Sequence, residues 1–166
     1  MTKAILGEPM FRGNSDAIIS ARMTPALAAA LAAKTVTGGI AVSLSQESNI
    51  TTADVFDPAK GFGGFINGAD INLCANTVGV TMHGLSVVVD NSNGVVAGAQ
   101  IGVDADGKLV GAGGTSKIIL NGQFMGDVTE AIDNLGNKVK GARINFSGYQ
   151  AGVITYEEPA TRKRAR

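Results

Sequence analysis

Three short stretches of this sequence carry the residue types of well-known binding loops. Gly102-Val103-Asp104-Ala105-Asp106-Gly107-Lys108-Leu109 has the GxxxxGK spacing of a loop that cradles phosphates. Leu109 stands where a magnesium-binding hydroxyl is needed, and Asp104 and Asp106 would repel an anion. The LVGAGG that follows supplies no helix N-terminus to complete the cradle. Gly111-Ala112-Gly113-Gly114-Thr115-Ser116-Lys117 has the look of a dinucleotide loop, yet β-branched Ile118-Ile119 follows where a helix is required. Asp104-x-Asp106-Gly107 begins like a calcium loop, but its glycine comes too early and no glutamate stands at the twelfth position. Aspartates in such turns commonly cap their own backbone. All three runs therefore read as turns between strands.

His83 is the sole histidine and Cys74 the sole cysteine. A Cys–His nucleophile needs an orienting partner and an oxyanion site, and no local pattern supplies either. Cys74 closes the apolar run Ile71-Asn72-Leu73-Cys74, where a buried, inert thiol is expected. The acidic residues are dispersed without pairing. No catalytic, cofactor-binding or metal-ligating residue is expected, and the chain does not read as an enzyme. Arg162-Lys163-Arg164-Ala165-Arg166 places four cations within five residues, without interleaved aromatics. That pattern suits a salt-sensitive contact with an acidic surface, not specific nucleic-acid recognition.

The chain around these runs has 166 residues, enough for one domain with a real core. Apolar residues make up 45% and charged residues 17%, against roughly 25% charged in an average globular chain. With 23 glycines and many Val, Ile and Thr, this is the composition of a turn-rich β protein. A formal charge of zero gives no global attraction to nucleic acid or an anionic membrane. One cysteine excludes an internal disulfide framework. The start, MTKAILGEPMFRG, lacks an apolar run of signal length, and Ala26 to Ala33 is too short to span a bilayer. Synthesis in a cytoplasm is expected.

Residues 1–23 read as an extended arm whose Ile5, Leu6, Met10, Phe11, Ile18 and Ile19 are costly to leave in water. Such an arm docks on its own core or on a neighbouring subunit. Thr24-Pro25 is an N-cap followed by proline at the first helical position, and ALAAALAAK continues to Gly38-Gly39, predicting a helix over 24–37. From Ile40 the apolar period becomes two, and Gln46 to Thr52 reads as a polar loop. Phe56, Phe62 and Phe65 surround a turn cluster that begins at Asp57-Pro58. Strands are expected at 71–74, 78–82, 85–89, 101–103, 109–110 and 118–120, with a turn at Asn121-Gly122. Asp133 to Asn137 is a further turn, between strands over 128–132 and 139–146, with a helical turn over Thr129 to Leu135 as the alternative because Ile132 and Leu135 are three apart. The recurring turns predict a mainly β, antiparallel β-sandwich or β-barrel with one short α-helix. The expected organisation is an N-terminal arm (1–23), a single β-rich domain (24–156) and a basic tail (157–166).

The run GAQIGVDADGKLVGAGG, with Val95-Val96 before it, resembles small tailed-phage virion proteins of the decoration or structural-cement kind. The resemblance covers roughly Val78 to Phe124. It implies a compact, jelly-roll-like β fold on the outside of a capsid, between subunits of the major capsid protein, commonly as a trimer. On that footing Ile5, Leu6, Met10 and Phe11 of the arm and Arg162, Lys163, Arg164 and Arg166 of the tail are the expected partner-binding residues. The virion surface is the expected location, with no membrane contact. Other phage head or tail components, and a carbohydrate- or ligand-binding β module, are the alternatives.

Overall fold

A computed structural model describes residues 4–8, 17–95, 100–113 and 115–149. The mainly β expectation holds, with ten strands and one α-helix among these residues. The sheet is mixed where an antiparallel one was expected. Two pairings are parallel, β1 (Ala4–Ile5) with β9 (Ile118–Ile132) and β2 (Ala17–Met23) with β4 (Ile50–Val55).

Residues 17–23 are a strand of the domain and not part of an arm. Ala21 and Met23 face inward while Ile18, Ser20 and Arg22 are exposed, a period of two that the small Ala21 obscured. β2 bonds to β4 on one side and to β6 (Thr77–Asp90) on the other. With β3 (Ala41–Glu47) and β5 (Gly64–Asn72), the path β2-β4-β3-β5-β6 returns to β2 and closes a five-stranded ring. Helix α1 (Pro25–Ala32) contributes Leu27 and Leu31 to the ring's core, beside Ala21, Met23, Val42, Ala53, Ile66, Val78 and Val80. The helix is shorter than the predicted 24–37. Ala33 caps it and Lys34 takes φ 61, because β-branched Thr35 and Val36 favour leaving the helix.

β6 is one 14-residue strand where two were expected. Its first half closes the ring, and its second half pairs with β10 (Lys138–Tyr149). The sheet continues from β10 to β9, β7 (Gln100–Val103) and β8 (Leu109–Gly111). A second core gathers Ala41 and Phe65 with Val87, Val89, Ile101, Val103, Leu109, Ile118, Leu120 and Ile144. Neighbours Ala41/Val42 and Phe65/Ile66 divide between the two cores, so β3 and β5 are buried on both faces over their first three or four residues. Phe62, Phe65 and Phe146 lock this junction edge to face, with ring centroids 5.2–5.9 Å apart.

Three loop assignments change. Residues 46–52 are the end of β3, a two-residue turn at Ser48-Asn49 (φ 49 and 65) and the start of β4. Both turn residues adopt the left-handed region that a tight hairpin requires, without the glycine that usually signals it. Asn121-Gly122 lies inside the 15-residue β9 and is no turn. Gly122 is needed there for close approach, because a Cβ would overlap the Asn145 carbonyl oxygen of β10. Leu73 and Cys74 form the β5–β6 turn, and Cys74 is exposed instead of buried.

Candidate functional site

The carboxylates that the sequence placed in turns are occupied by those turns. Asp104 Oδ1 accepts the N–H groups of Asp106 and Lys108, each at 2.9 Å, and Oδ2 accepts from Asn93 Nδ2 at 3.1 Å. The GxxxxGK run is thus a capped hairpin turn between β7 and β8, and Leu109 after it is fully buried. Ser116 Oγ donates to the Gly113 carbonyl at 2.7 Å and closes the glycine-rich turn, which leads into β9 and not into a helix. Asp133 accepts from the N–H groups of Leu135 and Asn137 and from Asn137 Nδ2. Burial opposes ionisation of Asp133, but these bonds outweigh it and hold its pKa below the usual value.

One charged cluster ties separate elements together. Asp54 of β4 accepts from Thr24 Oγ1 at 2.7 Å, the Val55 N–H at 2.9 Å and Lys60 Nζ at 2.9 Å. Thr24 also caps α1 by accepting the Leu27 N–H at 3.2 Å. The hydrogen bonds from Thr24 and Lys60 hold the Asp54 carboxyl below its ordinary pKa, and Asp54 raises that of Lys60. A carboxylate stabilised in this way is a poor proton acceptor. It is an anchor at one edge of a cleft of about 670 Å³ that Arg22 and Glu47 also line.

A second depression, of about 500 Å³, crosses β6, β10 and β9 between His83, Leu85, Asn121, Gln123, Asn145 and Ser147. The pairing shifts there, since Ile144 faces Val87 while Phe146 faces Gly84. That bulge turns Leu85 outward to 60% exposure, the highest of the large apolar side chains described. Met125 of β9 and Leu73 are each 48% exposed, and Leu135 is 46% exposed. His83 and Cys74 do not meet. Cys74 precedes β6 at its turn, and His83 lies six residues beyond the strand's first residue, roughly 20 Å along it. Among the described residues no three His, Cys, Asp or Glu side chains converge on a point that would hold a metal ion. No described helix is long and apolar enough to cross a membrane.

The expected partner-binding residues fare differently. Leu6 is fully buried against Val88 and Ala131 of its own chain and does not present its apolar surface outward. Ile5 is half-buried in β1. Met10, Phe11, Arg162, Lys163, Arg164 and Arg166 lie outside the described residues.

The organising polar residues were missed in the sequence. Buried Asn91 receives the Val95 N–H at 2.8 Å and donates to Asp127 Oδ1 at 3.1 Å. Buried Ser43 receives the Asp57 N–H at 3.0 Å and donates to the Gly61 carbonyl at 2.8 Å. Asn91 stands in the polar turn run Asp90-Asn91-Ser92-Asn93-Gly94, and nothing in the alternation of β3 separates buried Ser43 from exposed Ser45, so neither role was written locally. No family model matches the chain, and no curated protein matches it in sequence.

Proposed function

We propose that this chain is a virion structural protein, a capsid decoration or cement subunit that binds and stabilises the lattice of the major capsid protein without catalysis. The resemblance of the β7–β8 hairpin region to that family carries the reading. The spending of turn carboxylates on backbone caps supports it, as does the exposure of Leu73, Leu85, Met125 and Leu135 on a β scaffold. Subunits repeated by lattice symmetry hold through many weak contacts, so a rigid body with scattered apolar and charged contacts suits the task. On this reading the protein is made in the host cytoplasm, sits on the capsid surface as a homotrimer and uses its basic tail to grip an acidic neighbour.

The test is to mix the purified protein with expanded shells of the major capsid protein and image them by cryo-electron microscopy. Ordered density at repeated outer positions is expected, and bare shells at saturating protein would overturn the reading. Deleting 157–166 should weaken binding and reduce its salt dependence while leaving the melting temperature unchanged.

The groove beside Leu85 favours a second reading, a ligand-binding β module. Its volume of about 500 Å³ falls within the range of small-molecule sites, and amides line it. Phe146, the one Phe, Tyr or Trp among its described lining residues, is 3% exposed and offers no stacking platform for a sugar ring. Competable hits on a glycan array, abolished by Gln123→Ala, would favour this reading over the first.

A further inference from the structure

The N-terminal strand is held the way a bound peptide is held. The Leu6 N–H donates to the Ile132 carbonyl at 3.1 Å, and the Leu6 carbonyl accepts from the Gly68 N–H at 2.8 Å. The Gly7 N–H donates to the Val88 carbonyl, and the Gly7 carbonyl accepts from Thr81 Oγ1 at 2.7 Å. Ala4 and Ile5 lie beside Ala131 and Ile132 in parallel register. The Glu8 N–H donates to the Ile5 carbonyl at 3.1 Å and closes a turn at Leu6-Gly7 within the segment, while all the other partners are distant in the chain.

The slot has specific walls. Val88 and Ala131 form its apolar side. On the other side, a Cβ on Gly39 would lie 2.9 Å from the Leu6 Cβ. A Cβ on Gly38 or Gly68 would lie 2.9 or 2.7 Å from the Leu6 carbonyl oxygen. At position 7 of the strand itself, φ is +80 and a Cβ would overlap the Ile66 carbonyl oxygen, so only glycine fits. The slot therefore selects a segment reading apolar, Leu, Gly that enters as a short strand and turns at Leu-Gly. Backbone bonds hold it and one side-chain pocket discriminates, which is the logic of strand addition to a sheet.

The covalent tie to the rest of the chain is long. Glu8 bonds to Val88 and Ala17 pairs with His83, five residues apart on β6 and so roughly 17 Å. The nine residue steps from Glu8 to Ala17 reach about 30 Å when extended. The contour length exceeds the span, so the length of the tether does not by itself hold residues 4–8 in the slot.

We propose that this slot is a peptide-recognition site and that it takes residues 4–8 of a second copy of this chain in exchange for its own. The exchanged element is identical, so every hydrogen bond and packing partner that a strand leaves in one copy is met again in the other. The proposal rests on the slot's geometry and stands whether or not the capsid reading does.

The test uses full-length chains carrying Cys74→Ser, one population with Ile5→Cys and the other with Ile132→Cys. These positions are register partners on neighbouring strands about 4.8 Å apart, within the Cα range of about 4.4–6.8 Å that a disulfide spans. Placed in one chain, the two cysteines should join within the monomer. Placed in separate chains that are mixed, jointly unfolded, refolded and oxidised, they should yield a disulfide-linked heterodimer. Excess synthetic peptide of residues 1–8 should suppress that heterodimer, and the same peptide with Leu6→Asp should not. A heterodimer yield no greater than that of an Ile5→Cys and Leu135→Cys control pair, or one indifferent to the peptide, would overturn the proposal.

Discussion

Asp133 shows how a side chain that looks reactive in sequence is used up locally. It fixes three donors of one turn, so Asp133→Ala should lower stability by about 1–3 kcal/mol in urea unfolding. Asp133 and Asp54 both have pKa values lowered by folding, against about 3.9 in an unfolded chain. Their contribution is complete above the unfolded value and is lost as pH falls through the folded values. Urea midpoints should therefore hold from pH 7 to about 4 and drop below it, less steeply in an Asp133→Asn variant. Leu6 works through volume instead of charge. Leu6→Ala should cost about 2–5 kcal/mol, since a fully buried side chain leaves a cavity that glycine walls cannot fill. A loss under about 0.5 kcal/mol, the scale of a surface substitution, would mean that the slot is not part of the stable fold.

Local backbone chemistry decides which elements the sequence revealed. The Thr24-Pro25 helix start and the Asp104–Gly107 and Asp133–Asn137 turns were legible because a cap, a proline or an Asp-x-x-Gly writes each one in contiguous residues. The β3–β4 hairpin was not, because Ser48 and Asn49 reach the left-handed region without glycine. Replacing Ser48-Asn49 by Asn-Gly should relieve that cost and raise stability by about 1 kcal/mol, read from the thermal midpoint. Gly122 misled in the opposite sense, since Asn-Gly usually writes a turn and here serves strand contact. Gly122→Val should block the pairing of β9 with β10 and yield insoluble or unfolded protein, and a soluble variant with native circular dichroism would contradict this geometry. The surface groove was illegible for a plainer reason. His83, Gln123 and Asn145 meet only through pairings between distant strands.

Over the whole molecule, β6 couples the ring to the rest of the sheet, because one strand lines both cores. Unfolding should be a single cooperative transition, with equal calorimetric and van't Hoff enthalpies, and two resolved transitions would show that the halves are separable. The amides of Val78, Val80 and Val87 to Val89 should exchange slowest, at the global unfolding rate. The pairing of Leu6 with Ile132 also has a meaning in time. A ribosome makes the hydrogen-bond partner 126 residues after Leu6 itself, roughly 6–25 s later at 5–20 residues per second. Throughout that interval, the Leu6 side chain has no finished place to go. Nascent chains on one polysome would then hold unfilled slots and unplaced Leu6 segments side by side.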